Sequence, residues 1–151
     1  MENKIQKDIM SAMKEKDEVR LSALRAIKTA IMRTKTAADF KGDREAPLSD
    51  AEVIKIMQKL VKTMNDSITI YMAVDRDDLA LKERNELSVI EEYLPKPLSE
   101  LEIETLVKEA ITETGATSIK DMGKVIGVVT KKAEGRADGK TISGIVKKLL
   151  S

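Results

Sequence analysis

YLPKPLSE, residues 93–100, is the stretch on which the organisation of this 151-residue chain turns. Pro95 and Pro97 are two of only three prolines, and each steers the residue before it away from helix. Ser99 with Glu102 is the pattern of a capping box, in which a hydroxyl and a carboxylate each satisfy an orphan backbone N–H at a helix start. One helix must end before this segment and another begin after it. The expected division is an N-terminal subdomain, residues 1–94, and a C-terminal subdomain, residues 95–151.

Upstream, apolar residues recur at helical spacing. Ile5, Ile9, Ala12 and Met13 make a first stripe. After Asp17 as a cap, Val19, Leu21, Ala23, Leu24, Ile27, Ala30 and Ile31 make a second. AADFKGDREAPL (37–48) breaks the pattern with Gly42 and Pro47 and is expected to be a mobile loop. Ser49 and Glu52 form another capping box. The long helix behind it carries Val53, Ile54, Met57, Leu60, Val61, Met64, Ile68 and Tyr71 on one side. DRDD (75–78) is expected to break the chain and cap a further helix, with Leu79, Glu83, Leu87, Ile90 and Leu94 continuing to Pro95.

Downstream, Leu101, Leu106, Val107, Ala110 and Ile111 build a helix that Gly115 can end. Ser118 is expected to cap the next helix and Asp138 the last, which carries Ile142, Ile145, Val146 and Leu149. The fold class is therefore all-α: an N-terminal bundle of long helices followed by a small three-helix C-terminal subdomain, without repeats or low-complexity tracts.

Composition narrows the chemistry. A hydrophobic fraction of 42% is ample for a core, and with 35% charged residues and few Gly or Pro it suits a helical domain. Phe40, Tyr71 and Tyr93 are the only aromatic residues, so there is no platform on which bases could stack. Cysteine and histidine are absent. That removes disulfides, the usual zinc sites, Cys–His and Ser–His nucleophilic pairs and any imidazole switch. No metal or cofactor is expected. No apolar run approaches the roughly 18 residues of a membrane span. The N-terminal segment mixes acids with bases and lacks the apolar core of a signal or transit peptide. A cytoplasmic monomer without a membrane partner is the default expectation.

The net charge of +1 conceals an uneven distribution. Residues 1–36 carry nine basic and five acidic side chains, residues 37–114 ten and eighteen, and residues 115–151 eight and three. Basic ends hint at a polyanionic partner; ordinary solvated helix faces would look the same.

MGKVIGVVTKKAEGRADGK (122–140) places Gly123 and Gly127 inside a helix, where each costs about 1 kcal/mol relative to Ala. At about 100° per residue, Met122, Val125, Ile126, Val129 and Ala133 share one side and Lys120, Lys124 and Lys131 the other. Gly127 falls within the lysine stripe and Gly123 on its flank. In the last helix Gly144 likewise lies opposite the apolar side, beside Lys140, Lys147 and Lys148. Bare backbone among ammonium groups suits close approach of a sugar–phosphate chain. Packing of this side against the N-terminal bundle is the competing reading.

GRADGKT (135–141) resembles a Walker A loop but is one residue short and follows a helix rather than a strand, so a nucleotide-binding P-loop is rejected. What remains is a capped turn from which Arg136 projects, with Gly139 and Lys140 opening a helix whose N-terminus could receive a phosphate. Glu83 with Glu86, and Glu91 with Glu92, are the nearest approach to paired carboxylates. On so acidic a helix they read as a solvated face. Arg25 and Lys28 read as solubility charges.

Several of these stretches carry a resemblance. DMGKVIG…EGRADGK, RDDLALKERNELSVIEEYLP (76–95) and DIMSAMKEKDEVRLSALRAIKTAI (8–31) together resemble YqeY-like proteins. These are similar to the tail domain of the B subunit of the tRNA-dependent Asp/Glu amidotransferase (GatB). MNDSITIYMAVDR (64–76) departs from the family pattern by lacking an aromatic residue and a glycine, and Gly144 stands where a longer polar side chain is expected. The resemblance implies an all-helical protein of two subdomains meeting near residue 95, with a link to tRNA. It also brings the label of carbon–nitrogen ligase with glutamine as amide donor, for which this sequence supplies no amidase nucleophile, ATP site or metal cluster.

The expected function is a non-catalytic module that binds tRNA or another structured RNA. Lys120, Gly123, Lys124, Gly127, Lys131, Arg136, Gly139 and Lys140 would contact its backbone, with no catalytic residue assigned. The alternative is a protein-interaction module docking on an amidotransferase subunit or an aminoacyl-tRNA synthetase.

Overall fold

Side-chain caps set most of the helix starts in this computed structural model, which describes residues 1–151. It contains seven α-helices, a single 3-10 turn and no strand. The chain divides into two compact units, Met1–Leu94 and Pro95–Ser151.

The N-terminal unit comprises α1 (Glu2–Glu15), α2 (Glu18–Thr36), α3 (Asp50–Ala73) and α4 (Asp77–Glu91). Asp17 starts α2 by accepting from the Arg20 N–H at 3.1 Å. The Ser49–Glu52 capping box is complete: Glu52 N–H donates to the Ser49 hydroxyl at 3.2 Å, and the Glu52 carboxylate accepts from Ser49 N–H at 2.9 Å. The core is aliphatic. Ile5, Ile9, Leu24, Ile27, Ile31, Val53, Met57, Met64, Ile68, Leu87 and Ile90 are among its buried members.

Some expectations here need correction. Met13 and Val19 are 54% and 42% exposed. Each lies only about 40° round its helix from a buried residue, Ile9 and Ala23, but sits in the last or first turn of its helix, where the packing partner ends. DRDD breaks the chain but does not cap α4. Asp75 takes a left-handed conformation (φ 56°), tolerable for Asp, and Arg76 at the cap position pairs with Asp78 at 3.1 Å. The segment 37–48 is tied down rather than free. Phe40 packs against the core, Leu48 is buried, and Leu48 N–H donates to Glu2 at 2.6 Å. A Cβ at Gly42 would sit 2.7 Å from the tip of the Phe40 ring, so a side chain there would require the ring to shift.

The C-terminal unit comprises α5 (Glu100–Thr114), the 3-10 turn Ile119–Asp121, α6 (Met122–Ala133) and α7 (Gly139–Leu150). Ser99 accepts from Glu102 N–H at 3.2 Å, and Gly115 ends α5 in the left-handed region (φ 69°), where a Cβ would be strained. Ser118 does not cap α6 with its side chain. The 3-10 turn intervenes, stabilised by the Asp121 carboxylate on Thr117 N–H at 3.1 Å. Asp138 starts α7, accepting from Lys140 N–H at 3.2 Å.

The three helices pack pairwise around Ile103, Val107, Ala110, Val125, Val129, Ala133, Ile142 and Val146. Leu101, assigned to the core from sequence, is 73% exposed, and Ile103 takes the inward position. Each buried Val or Ile side chain contributes about 1.5–3 kcal/mol, and each buried Ala methyl less. So small a unit rests on few of them.

Candidate nucleic-acid interface

α6 buries Val125, Val129 and Ala133 and turns Gly123, Lys124, Gly127 and Lys131 outward, all exposed. In α7, Ile142 and Val146 are buried while Gly139, Lys140, Gly144, Lys147 and Lys148 are exposed. A Cβ built at Gly123, Gly127, Gly139 or Gly144 meets no heavy atom within 4 Å. Lys124, Lys131, Lys140, Lys147 and Lys148 have no ion-pair or hydrogen-bond partner for their ammonium groups. Open backbone and uncompensated charge therefore coincide on these surfaces.

Three expected site residues stand differently from the sequence reading. Lys120 is exposed but lies in the 3-10 turn, outside α6, so helical spacing does not align it with Lys124 and Lys131. Arg136 does not simply project. Its Nε donates to the Lys96 carbonyl at 2.8 Å, and its own carbonyl accepts from Leu98 N–H at 2.9 Å, so the α6–α7 turn clasps residues 96–98. The turn itself needs left-handed backbone at Glu134 (φ 49°) and Gly135 (φ 77°). At the start of α7, the Asp138 carboxylate already occupies the Lys140 N–H. A phosphate at that N-terminus would meet a negative charge in place.

Polar chemistry of another kind gathers in the N-terminal unit. Glu86, expected on a solvated acidic face, is 8% exposed and accepts from the Ser22 hydroxyl at 2.7 Å, bridging α2 to α4. Burial, and next the Glu86 charge, raise the Glu83 carboxyl above its ordinary pKa. Arg20 grips both oxygens of Glu92 at 3.0 and 3.2 Å, and that hydrogen bond raises the guanidinium pKa. The Tyr93 hydroxyl donates to Asp8, with Lys4 5.4 Å from the ring centroid. Burial first, then Asp8, push the phenol pKa up. The sequence signal for these links was weak. Arg20, Ser22 and Asp8 are remote from residues 86–93, and only the inward place of Glu86 beside Leu87 could have hinted at one of them.

A family model described as Yqey-like protein matches residues 2–150. The chain belongs to the YqeY-like family. Curated relatives are fungal proteins named "Altered inheritance of mitochondria protein 41, mitochondrial". The Saccharomyces cerevisiae (strain YJM789) protein is 35% identical over 106 residues, covering 69% of this chain and 55% of that protein. The Pyrenophora tritici-repentis protein is 32% identical over 139 residues, 89% of this chain and 71% of the other. The Candida glabrata protein is 33% identical over 99 residues, 65% and 52%.

This YqeY-like chain thus spans about half the length of the yeast relatives it matches. The cytoplasmic expectation is corrected, since the family members it resembles are named as mitochondrial. No helix is long and apolar enough to cross a membrane.

Proposed function

We propose that this chain is a non-catalytic RNA-binding module whose contact surface is the outward side of α6 and the start of α7. The observation that carries the reading is the coincidence of exposed, unobstructed Gly123 and Gly127 with the unpaired ammonium groups of Lys124, Lys131 and Lys140. Ammonium groups without partners supply sequence-independent attraction to phosphates, and glycines let a sugar–phosphate chain reach the helix backbone. With no aromatic group in this unit, recognition would rest on backbone and shape, as for structured RNA. The resemblance to the GatB tail domain favours tRNA as the RNA, and the mitochondrial setting in the relatives' names is the one we attach to this reading.

The test is fluorescence anisotropy of labelled tRNA at two salt concentrations. The variant Lys124→Glu/Lys131→Glu/Lys140→Glu is the comparison; Arg136 is left alone because it holds its own turn. Expected is binding that weakens steeply with salt, by roughly tenfold or more across a fourfold rise for several phosphates, and is lost in the variant. Binding indifferent to salt, or intact in the variant, would overturn the reading. Failure of RNA binding with a protein pulled down from nuclease-treated extract, and lost in Gly127→Leu, would move the weight to docking on an amidotransferase subunit or a synthetase.

A further inference from the structure

A second cationic surface lies in the N-terminal unit. The end of α2, the 37–48 segment and α3 enclose an open groove of about 610 Å³, lined by Arg33, Lys41 and Lys59 among others. All three are exposed and none has a charge partner. Of the two carboxylates in the groove, both exposed, Glu52 is engaged with Ser49 N–H and hydroxyl at 2.9 and 3.0 Å and Asp39 makes no ion pair. Lys55 and Lys62, exposed and unpaired as well, stand four residues before and three after Lys59 on the outward face of α3. The 1.5 Å helical rise spaces these three cations over about 10 Å.

Helix polarity explains Arg33 alone, since a cation in the last turn of α2 suits the macrodipole. It explains neither Lys59 in the middle of α3 nor Lys41 in the loop. The one ring in the groove, Phe40, packs on the core, and none of the large exposed hydrophobic side chains lines it. A membrane surface would call for apolar groups at the rim.

We propose that this groove holds consecutive phosphodiesters of an RNA strand, with Arg33 and Lys41 on one wall and Lys59 on the other. The surface is separate from the one on α6 and α7 and shares with it only the chemistry of the ligand. Its cations come from three chain segments, so no motif announces it.

The experiment is amide chemical-shift mapping of the full chain titrated with a short RNA duplex. It is paired with anisotropy of Arg33→Glu/Lys59→Glu and of the milder Lys59→Gln, and with a sedimentation arm using anionic lipid vesicles. Expected are shifts at residues 33, 41 and 59, with affinity reduced about tenfold or more in the double variant and less in Lys59→Gln. Shifts confined to residues 120–148 would overturn the groove and leave the α6–α7 reading standing. Shifts confined to the groove would support it and overturn the other. No shift anywhere overturns both, and vesicle binding without RNA binding overturns the RNA as occupant.

Discussion

In the N-terminal unit, Arg20 grips Glu92, Ser22 donates to the buried Glu86, Tyr93 donates to Asp8 and Lys35 pairs with Glu2 at 3.0 Å, each link joining two helical segments. In the C-terminal unit one ion pair joins two helices, Lys132 to Glu113 at 2.7 Å, and both partners are exposed. The first unit uses polar side chains to fix helix against helix. The second relies on eight buried aliphatic residues and on its turns, and leaves most of its cations facing water. Charges committed to internal partners are poor ligand contacts. Uncommitted ones, in the C-terminal unit and in the groove beside α3, are where a polyanion gains most.

The contrast between the units can be broken most sharply in the core of the first. Leu24 is fully buried where α2 meets that core, and Leu24→Ala should lower the unfolding free energy by about 2–5 kcal/mol in urea titrations. A smaller loss would mean that polar links, more than packing, hold that unit.

Next come two polar links of opposite environment. Ser22→Ala leaves the buried Glu86 carboxylate without its partner and should cost about 1–3 kcal/mol. Lys132→Ala, at an exposed pair, should leave the urea midpoint where it was. Equal effects from the two would erase the distinction between the units.

The smallest effect is a pH dependence at Glu83. Its folded pKa lies above the ordinary value of 4.5, so the folded state holds the proton more tightly and stability falls as pH rises through that window. Glu83→Gln should therefore be slightly more stable than the parent at neutral pH, within about 0.5 kcal/mol. The gain should vanish below about pH 4. A variant less stable at neutral pH would contradict the assigned sign.

How far the sequence carried the fold can be read at particular residues. Ser49 with Glu52 and Asp17 with Arg20 are local patterns, complete within four residues, and they form as expected. Helical periodicity placed most core residues. It erred at Met13, Val19 and Leu101, near helix ends, where the partner surface runs out before the stripe does. Ser118 misled because a 3-10 turn obeys a tighter period than the helix it precedes. The site was legible in part. The outward direction of Gly123, Gly127, Lys124 and Lys131 follows from the wheel, but the Arg136–Lys96 bond spans forty residues and no local rule points to it. Glu86 was hidden by its acidic neighbours. The groove was hidden by the acidic balance of its segment, although Lys55, Lys59 and Lys62 share one helix face in plain sequence.

The clasp between the α6–α7 turn and residues 96–98 has a practical consequence for cutting the chain. Judged by secondary structure alone, a fragment of the C-terminal unit would start at Ser99, the cap of α5. Such a fragment discards the Lys96 carbonyl that receives Arg136, and Leu98, whose N–H meets the Arg136 carbonyl and whose side chain packs on the core. The turn carrying Gly135 and Arg136, which leads into Gly139, would lose its outer brace, and the fragment would understate the order of the very surface under test. A fragment beginning at Pro95 keeps both bonds, so the natural scissors mark is the proline and not the helix.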